Sequence, residues 1–160
     1  MRILALDPGS SCGFAVGDPA GVLVSGVWQL TPGRGDSPGM RYVRLRGYLE
    51  DVLRAYPDLA LVVYEQAHHR GGAATEYAVG CATTVQTWCA ERGIDHSAVH
   101  SATVKKWATG RGNAKKAEMV RLARERFQPT TSTDDEIDAL WMLDWARAQW
   151  VGSAPVGGAA

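Results

Sequence analysis

The sequence predicts an α/β domain of three layers: a mixed five-stranded sheet, three antiparallel strands and then two parallel ones, flanked by helices. Three observations carry this. Strand-like and helix-like segments follow in the order β-β-β-α-β-α-β-α-α-α, first doubling back through short turns and later alternating with helices. Residues 59–64 are apolar throughout, as a strand covered on both faces must be. Carboxylates stand at the ends of two strands and at the start of the last helix, so the connectivity brings them toward one sheet edge.

Residues 2–6 are a β-branched and apolar run that stops at Asp7-Pro8-Gly9, a turn signal, so a first strand delivers Asp7 to its C-terminal edge. Residues 13–16 and 22–30, split by Gly17-Asp18-Pro19-Ala20-Gly21, read as a hairpin continuing the same sheet. After a loop at 31–39, Met40, Val43, Leu49, Val52, Leu53 and Tyr56 recur at helical spacing until Pro57. The fourth strand, 59–64, ends at Glu65. Gly71-Gly72 precede a helix in which Ala74, Tyr77, Ala78, Cys81, Val85, Trp88 and Cys89 form a stripe, with Gly93 as its C-cap. Residues 96–99 make a fifth strand, and Ser101 is placed to cap a short helix over 102–107. Asn113 is placed to cap a helix reaching Phe127, residues 129–133 break it, and the last helix runs over 134–150. Residues 1–150 read as one domain, and the Gly/Ala/Pro-rich residues 151–160 as a disordered tail.

A chain of 160 residues that is 46% hydrophobic can bury a real core. Neither terminus offers a charged n-region followed by an apolar h-region, and no apolar run approaches the ~18 residues of a membrane span. A soluble protein without a membrane partner is expected. Cys12, Cys81 and Cys89 are odd in number and lack CxxC spacing, which argues against a disulfide framework or a zinc site and for a reducing, cytoplasmic setting. Net charge is zero, yet residues 102–127 hold Lys105, Lys106, Arg111, Lys115, Lys116, Arg121, Arg124 and Arg126 against only Glu118 and Glu125. Such a block is either a solvated helix face or a surface for phosphates.

The chemistry rests on Asp7, Glu65, Asp135 and Asp138. Asp135 and Asp138 are three apart, so one helix face presents both, in the first turn where the helix dipole favours anions. Four converging carboxylates repel one another unless divalent cations neutralise them, and hard oxygen donors select Mg²⁺ or Mn²⁺. Two such ions in one site suit hydrolysis of a phosphodiester. No Ser-His-Asp order, P-loop or GxGxxG supports another chemistry. Each acid alone is weak: Asp before Pro-Gly is ordinarily a turn residue, and Asp at a helix start ordinarily a cap.

Their local sequences decide. Leu4-Ala5-Leu6-Asp7-Pro8-Gly9-Ser10 with Gly13 resembles the opening motif of RuvC-type Holliday junction resolvases, of the RNase H-like superfamily. Tyr64-Glu65-Gln66 resembles that family's strand-four acid followed by glutamine, and Asp135-Glu136-Ile137-Asp138-Ala139-Leu140 its closing D-x-x-D-A-L helix. Val104-Lys105 and Ala114-Lys115-Lys116 fall where the family has lysines that approach DNA phosphates. The resemblance covers residues 2–147. It implies that Asp7, Glu65, Asp135 and Asp138 are catalytic and ligate two Mg²⁺ ions, with Mn²⁺ as a substitute. It also implies a homodimer that nicks opposed strands of a four-way junction, with the region of Tyr77, Cys81, Val85 and Trp88 either at its interface or in the core. Lys105 and Lys116 are then the first candidates for phosphate contacts, supported by Lys106, Lys115 and Arg111. Trp107, beside these lysines, touches DNA or anchors its short helix, while Trp141 and Trp145 pack core.

One segment departs from the family. Members often carry an aromatic wedge shortly after the Glu-Gln pair, whereas this chain reads Ala67-His68-His69-Arg70. His68 or His69 could stack on a base and Arg70 could bind a phosphate. Adjacent side chains on an extended loop point apart, which argues against the His pair as a metal site. Alternatives remain: a flap, Y-structure or hybrid nuclease of the same fold, or a junction-binding module without cleavage. An ATP-binding protein of the actin and Hsp70 type would need a second domain and does not account for Asp135 with Asp138.

Overall fold

The first strand supplies the axis of the sheet. In the computed structural model, which describes residues 1–67 and 71–150, β1 (Arg2–Asp7), β2 (Ser11–Asp18) and β3 (Gly21–Gln29) are followed by α1 (Met40–Ala55) and β4 (Leu59–Glu65). Then come α2 (Ala73–Arg92), β5 (Asp95–Val99), α3 (Ser101–Thr109), α4 (Lys116–Phe127) and α5 (Asp134–Trp150). The sheet order is β3-β2-β1-β4-β5, and β1, β2 and β3 are antiparallel with β4 and β5 parallel to β1, the strand directions the sequence predicts. His68, His69, Arg70 and residues 151–160 lie outside the described residues.

Because residues 3–6 of β1 and 59–64 of β4 form unbroken apolar runs, their alternating side chains feed two cores. Leu4, Leu6, Val62 and Tyr64 point to the face covered by α1 and α2, where they meet Leu45, Leu49, Cys81, Val85 and Trp88. Ile3, Ala5, Leu61 and Val63 point to the other face, where Val104, Met119, Ala123 and the buried residues of α5 cover them. Helix α5 is itself apolar on most sides, since it lies between the sheet and the layer formed by α3 and α4. Trp141 is core, its indole N–H donating to the Met119 carbonyl at 3.1 Å. Among the described residues no helix is long and apolar enough to cross a membrane, and all three cysteines are buried and unpaired.

Helix α5 gets close to the sheet because β2 turns small residues toward it: Gly13, Ala15 and Gly17 alternate on that face. A Cβ at Gly13 would stand 1.9 Å from the Asp135 carbonyl oxygen, and one at Gly17 would stand 2.9 Å from a Leu143 methyl. Only hydrogen fits at Gly13, where backbone rests on backbone.

Several local expectations need correction. Ser101 does not cap α3; it is the first helical residue, with His100 at the N-cap and no side-chain cap bond. Nor does Asn113 cap α4, which starts only at Lys116, because Gly110 ends α3 in the left-handed region and residues 111–114 close a separate turn. The α2 stripe is internal: Cys81, Val85 and Trp88 are fully buried against the chain's own sheet and α1. The Tyr77 hydroxyl donates to the Gly9 carbonyl. Of the two readings the sequence leaves open for these residues, Cys81, Val85 and Trp88 take the core, while Tyr77 is half-buried. Gly93 does end α2 as the C-cap, in the left-handed region.

Substituting Gly13→Ala should destabilise the chain by about 1–3 kcal/mol, the usual cost of forcing atoms into a packed contact. Urea denaturation checks this, and an unchanged midpoint would mean that α5 does not depend on the close approach.

Candidate active site

The four acids arrive by three routes that end together. In the parallel pair β1 and β4, Leu6 is in register with Tyr64, so the next residue of each strand, Asp7 and Glu65, stands at the same sheet edge. On its other side Asp7 is in register with Gly13, the residue on which the first turn of α5 rests. That contact brings Asp135 and Asp138, one helix face apart by a single turn, against the same edge.

Electrostatics registers the convergence. Burial, then the charges of Asp138 and Glu65, a hydrogen bond with Glu65, and the charge of Asp135 push the Asp7 carboxyl well above the ordinary carboxylate range. Burial also raises Asp138, with Lys116 offsetting part of the effect. Asp135 is raised by burial and by the charges of Asp138 and Asp134, again against Lys116.

Asp7, Glu65 and Asp138 open onto a cleft of about 490 Å³ lined also by Gln66, Lys105 and Lys116, with apolar walls from α2 and the α4–α5 layer; Asp135 is not among its lining residues. The Lys116 ammonium donates to Asp138 Oδ2. Burial pulls the Lys116 pKa down, but the bond and charge of Asp138 outweigh it, so the net displacement is upward and the side chain stays charged. Of the basic block, then, only Lys105 and Lys116 line the cleft with the acids. Lys106 and Lys115 are exposed outside it, and Arg111 is committed to Glu118 at 2.6 Å.

The donor set suits a hard divalent cation, since it consists of carboxylate oxygens whose mutual repulsion a cation would relieve. Among the described residues no group of three or more His, Cys, Asp or Glu is arranged to hold a metal ion as it stands. Two contacts already occupy these carboxylates. Asp7 is hydrogen-bonded with Glu65 and Asp138 is engaged by Lys116, so these side chains would have to exchange partners.

Two neighbouring side chains do structural work around the cleft. Trp107 donates its indole N–H to the buried Asp144 at 2.8 Å, so it anchors α3 despite being 43% exposed. Glu136, which the D-x-x-D pattern treats as a spacer, is fully buried and receives five hydrogen bonds. The signal that could have found it is Thr133-x-x-Glu136, a capping box at the start of α5.

No family model and no curated protein matches this sequence. Solved structures do. Thermus thermophilus RuvC superposes with a TM-score of 0.74 at 23% identity, over 96% of this chain and 98% of that one. The T. thermophilus RuvC in complex with Holliday junction substrate gives 0.76 at 22% identity, over the same shares. The chain has the RuvC fold. Within that fold the sequence-predicted acids occupy the strand ends and helix start described above, and the shared architecture extends over nearly the whole of both chains.

Raised carboxyls make a prediction about the metal-free protein. A group whose folded pKa lies above its unfolded value contributes stability that is present below the unfolded pKa, ~3.9 for Asp, and lost as pH rises through the folded one. Asp7→Asn removes that loss. In chelator at neutral pH the variant should melt at least ~2 °C above wild type, the shift given by about 1 kcal/mol in a chain of this length. The gap should close as the buffer is acidified to ~3, about a unit below the unfolded value, where both states of Asp7 carry the proton. A variant that melts lower at neutral pH would show that Asp7 is not under repulsion.

Proposed function

We propose that this chain is a structure-selective endonuclease that resolves four-way DNA junctions by metal-dependent hydrolysis of phosphodiester bonds, acting as a homodimer. The observation that carries the reading is one cleft holding Asp7, Glu65 and Asp138 beside Lys105 and Lys116, with the charge of Asp135 also felt at Asp7. The similarity in fold to a RuvC in complex with Holliday junction substrate supports it.

Asp7, Glu65, Asp135 and Asp138 would hold two Mg²⁺ ions, or Mn²⁺ in their place. When bound, such ions supply an activated water and charge stabilisation for the leaving 3′ oxygen. The chain's own residues do the rest. Asp7 and Glu65 are fixed by strands covered on both faces, and Asp135 and Asp138 by one helix turn seated on Gly13, so the ligands are held by rigid elements. Lys105 and Lys116 offer ammonium groups to phosphate oxygens from the wall of the same cleft. Lys106, Lys115 and Arg111 extend the positive surface outward and add affinity without reading sequence. Two copies related by a two-fold axis would present two such sites to opposed strands of the junction. The unpaired thiols suit a reducing cytoplasm.

The replacement of an aromatic wedge by Ala67-His68-His69-Arg70 favours a second reading, a nuclease of broader taste for flaps and Y-structures. A gel assay with Mg²⁺ on a labelled immobile four-way junction, a Y-structure, a flap and linear duplex separates the two. Symmetric nicking confined to the junction supports the resolvase, and equal cutting of every branched form supports the broader nuclease. Asp7→Asn should abolish cleavage and spare junction binding, because it removes a ligand and leaves the lysines in place; unimpaired cutting would sink the assignment. Lys116→Ala should weaken binding to all sequences alike and reduce the slope of log affinity against log salt by about one. An unchanged slope would remove Lys116 from the contacts.

A further inference from the structure

Within α5 the two proposed ligands Asp135 and Asp138 enclose a third carboxylate that does not face the cleft. Glu136 is fully buried and points across the helix to edge strand β3, where the Ser25 hydroxyl donates to its Oε1 at 2.6 Å. The backbone N–H of Thr130 donates to the same oxygen at 2.9 Å. Its Oε2 accepts from the N–H of Thr131 at 2.6 Å, the Thr131 hydroxyl at 2.5 Å and the N–H of Ser132 at 2.9 Å. In return the Glu136 N–H donates to Thr133 Oγ1 at 3.4 Å. To make this wrap, Ser132 sits at φ 57, in the left-handed region that non-glycine residues seldom adopt.

This exceeds the needs of a helix cap. In a capping box the glutamate would accept from the Thr133 N–H, whereas here that amide donates to Thr131 Oγ1 and the Glu136 carboxylate gathers three consecutive amides of the preceding loop and ties the helix to a strand 111 residues earlier in the chain. Successive residues of a helix lie about 100° apart around its axis, so a side chain pinned at 136 fixes the rotation that aims 135 and 138. Gly13 sets how near α5 lies to the sheet. Glu136 sets how it is turned.

We infer that Glu136 is a positioning residue that orients Asp135 and Asp138 for metal binding, through its carboxylate clamp on Ser25 and residues 130–132. The inference rests on the nuclease reading above and adds a residue to its machinery that touches neither metal nor DNA. Partners that orient metal ligands typically change metal affinity or activity ~10- to 100-fold when lost. Glu136→Gln keeps the shape but places an amide N–H₂ among donors, so at least one of the five bonds fails.

The test is a Mn²⁺ titration of the full chain, read from the electron paramagnetic resonance signal of the free ion well below the melting temperature. Junction affinity in chelator is measured beside it. Glu136→Gln should raise the Mn²⁺ midpoint by about tenfold or more and leave metal-free junction binding unchanged. Its cleavage should recover at high metal concentration, while Asp138→Asn, which loses a ligand, should not be rescued. Should Glu136→Gln fail to fold, Ser25→Ala, which removes one bond of five, should move the midpoint in the same direction by less. A folded Glu136 or Ser25 variant with the wild-type Mn²⁺ midpoint, whatever its melting temperature, overturns the inference alone. Wild-type protein that takes up no Mn²⁺ overturns the nuclease reading, and the inference falls with it.

Discussion

Everything proposed for this molecule depends on one close contact, the backbone of α5 at Asp135 resting on the backbone of β2 at Gly13. A side chain there would push the helix off the sheet, and the acids of α5 would withdraw from the strand ends that carry Asp7 and Glu65. The alternation Gly13, Ala15, Gly17 extends the same economy of bulk along β2. The opposite face of that strand carries Cys12 and Val16 into the other core. Small residues toward α5 and larger ones away from it thus decide which layer comes close and where the catalytic edge forms.

That contact places several carboxylates where they destabilise one another, and the first turn of α5 shows two ways to manage a buried acid. Burial alone would raise Glu136, but hydrogen bonds from Ser25, Thr131 and Thr130 outweigh it and hold its carboxyl below the ordinary range. Glu136 therefore contributes stability above its unfolded pKa, lost only as pH falls through the lowered folded value. Asp138 and Asp135 lack such a set of donors and stand raised, with Lys116 as a partial counter-charge. One turn thus combines an acid satisfied by the protein with acids left to be satisfied by something else. That is the pattern expected where function has been placed above stability.

Much of this was legible in the sequence. Continuous apolar strands that end at Asp7 and Glu65 announce buried parallel neighbours, and the turn before Gly21 announces the hairpin, so the strand directions follow. What stayed hidden depended on contacts distant in sequence. Glu136 looks like filler inside D-x-x-D because its partner Ser25 lies on another strand. The α2 stripe has a helical period that a core and a dimer face would share; only packing against α1 and the sheet shows Cys81, Val85 and Trp88 to be core. The basic block reads as one patch, yet the turn at 111–114 delays α4 and sorts its cations, sending Lys105 and Lys116 into the cleft and leaving Lys106 and Lys115 outside. His68, His69 and Arg70 lie outside the described residues.

The central claim is that the four carboxylates form a metal centre for phosphodiester hydrolysis. Diffraction from crystals grown with Mn²⁺, using the anomalous signal of the metal, tests it most directly. The account predicts peaks bounded by Asp7, Glu65, Asp135 and Asp138, with the Lys116 ammonium withdrawn from Asp138. No peak among these side chains at saturating Mn²⁺, with Lys116 still bonded to Asp138, would contradict it.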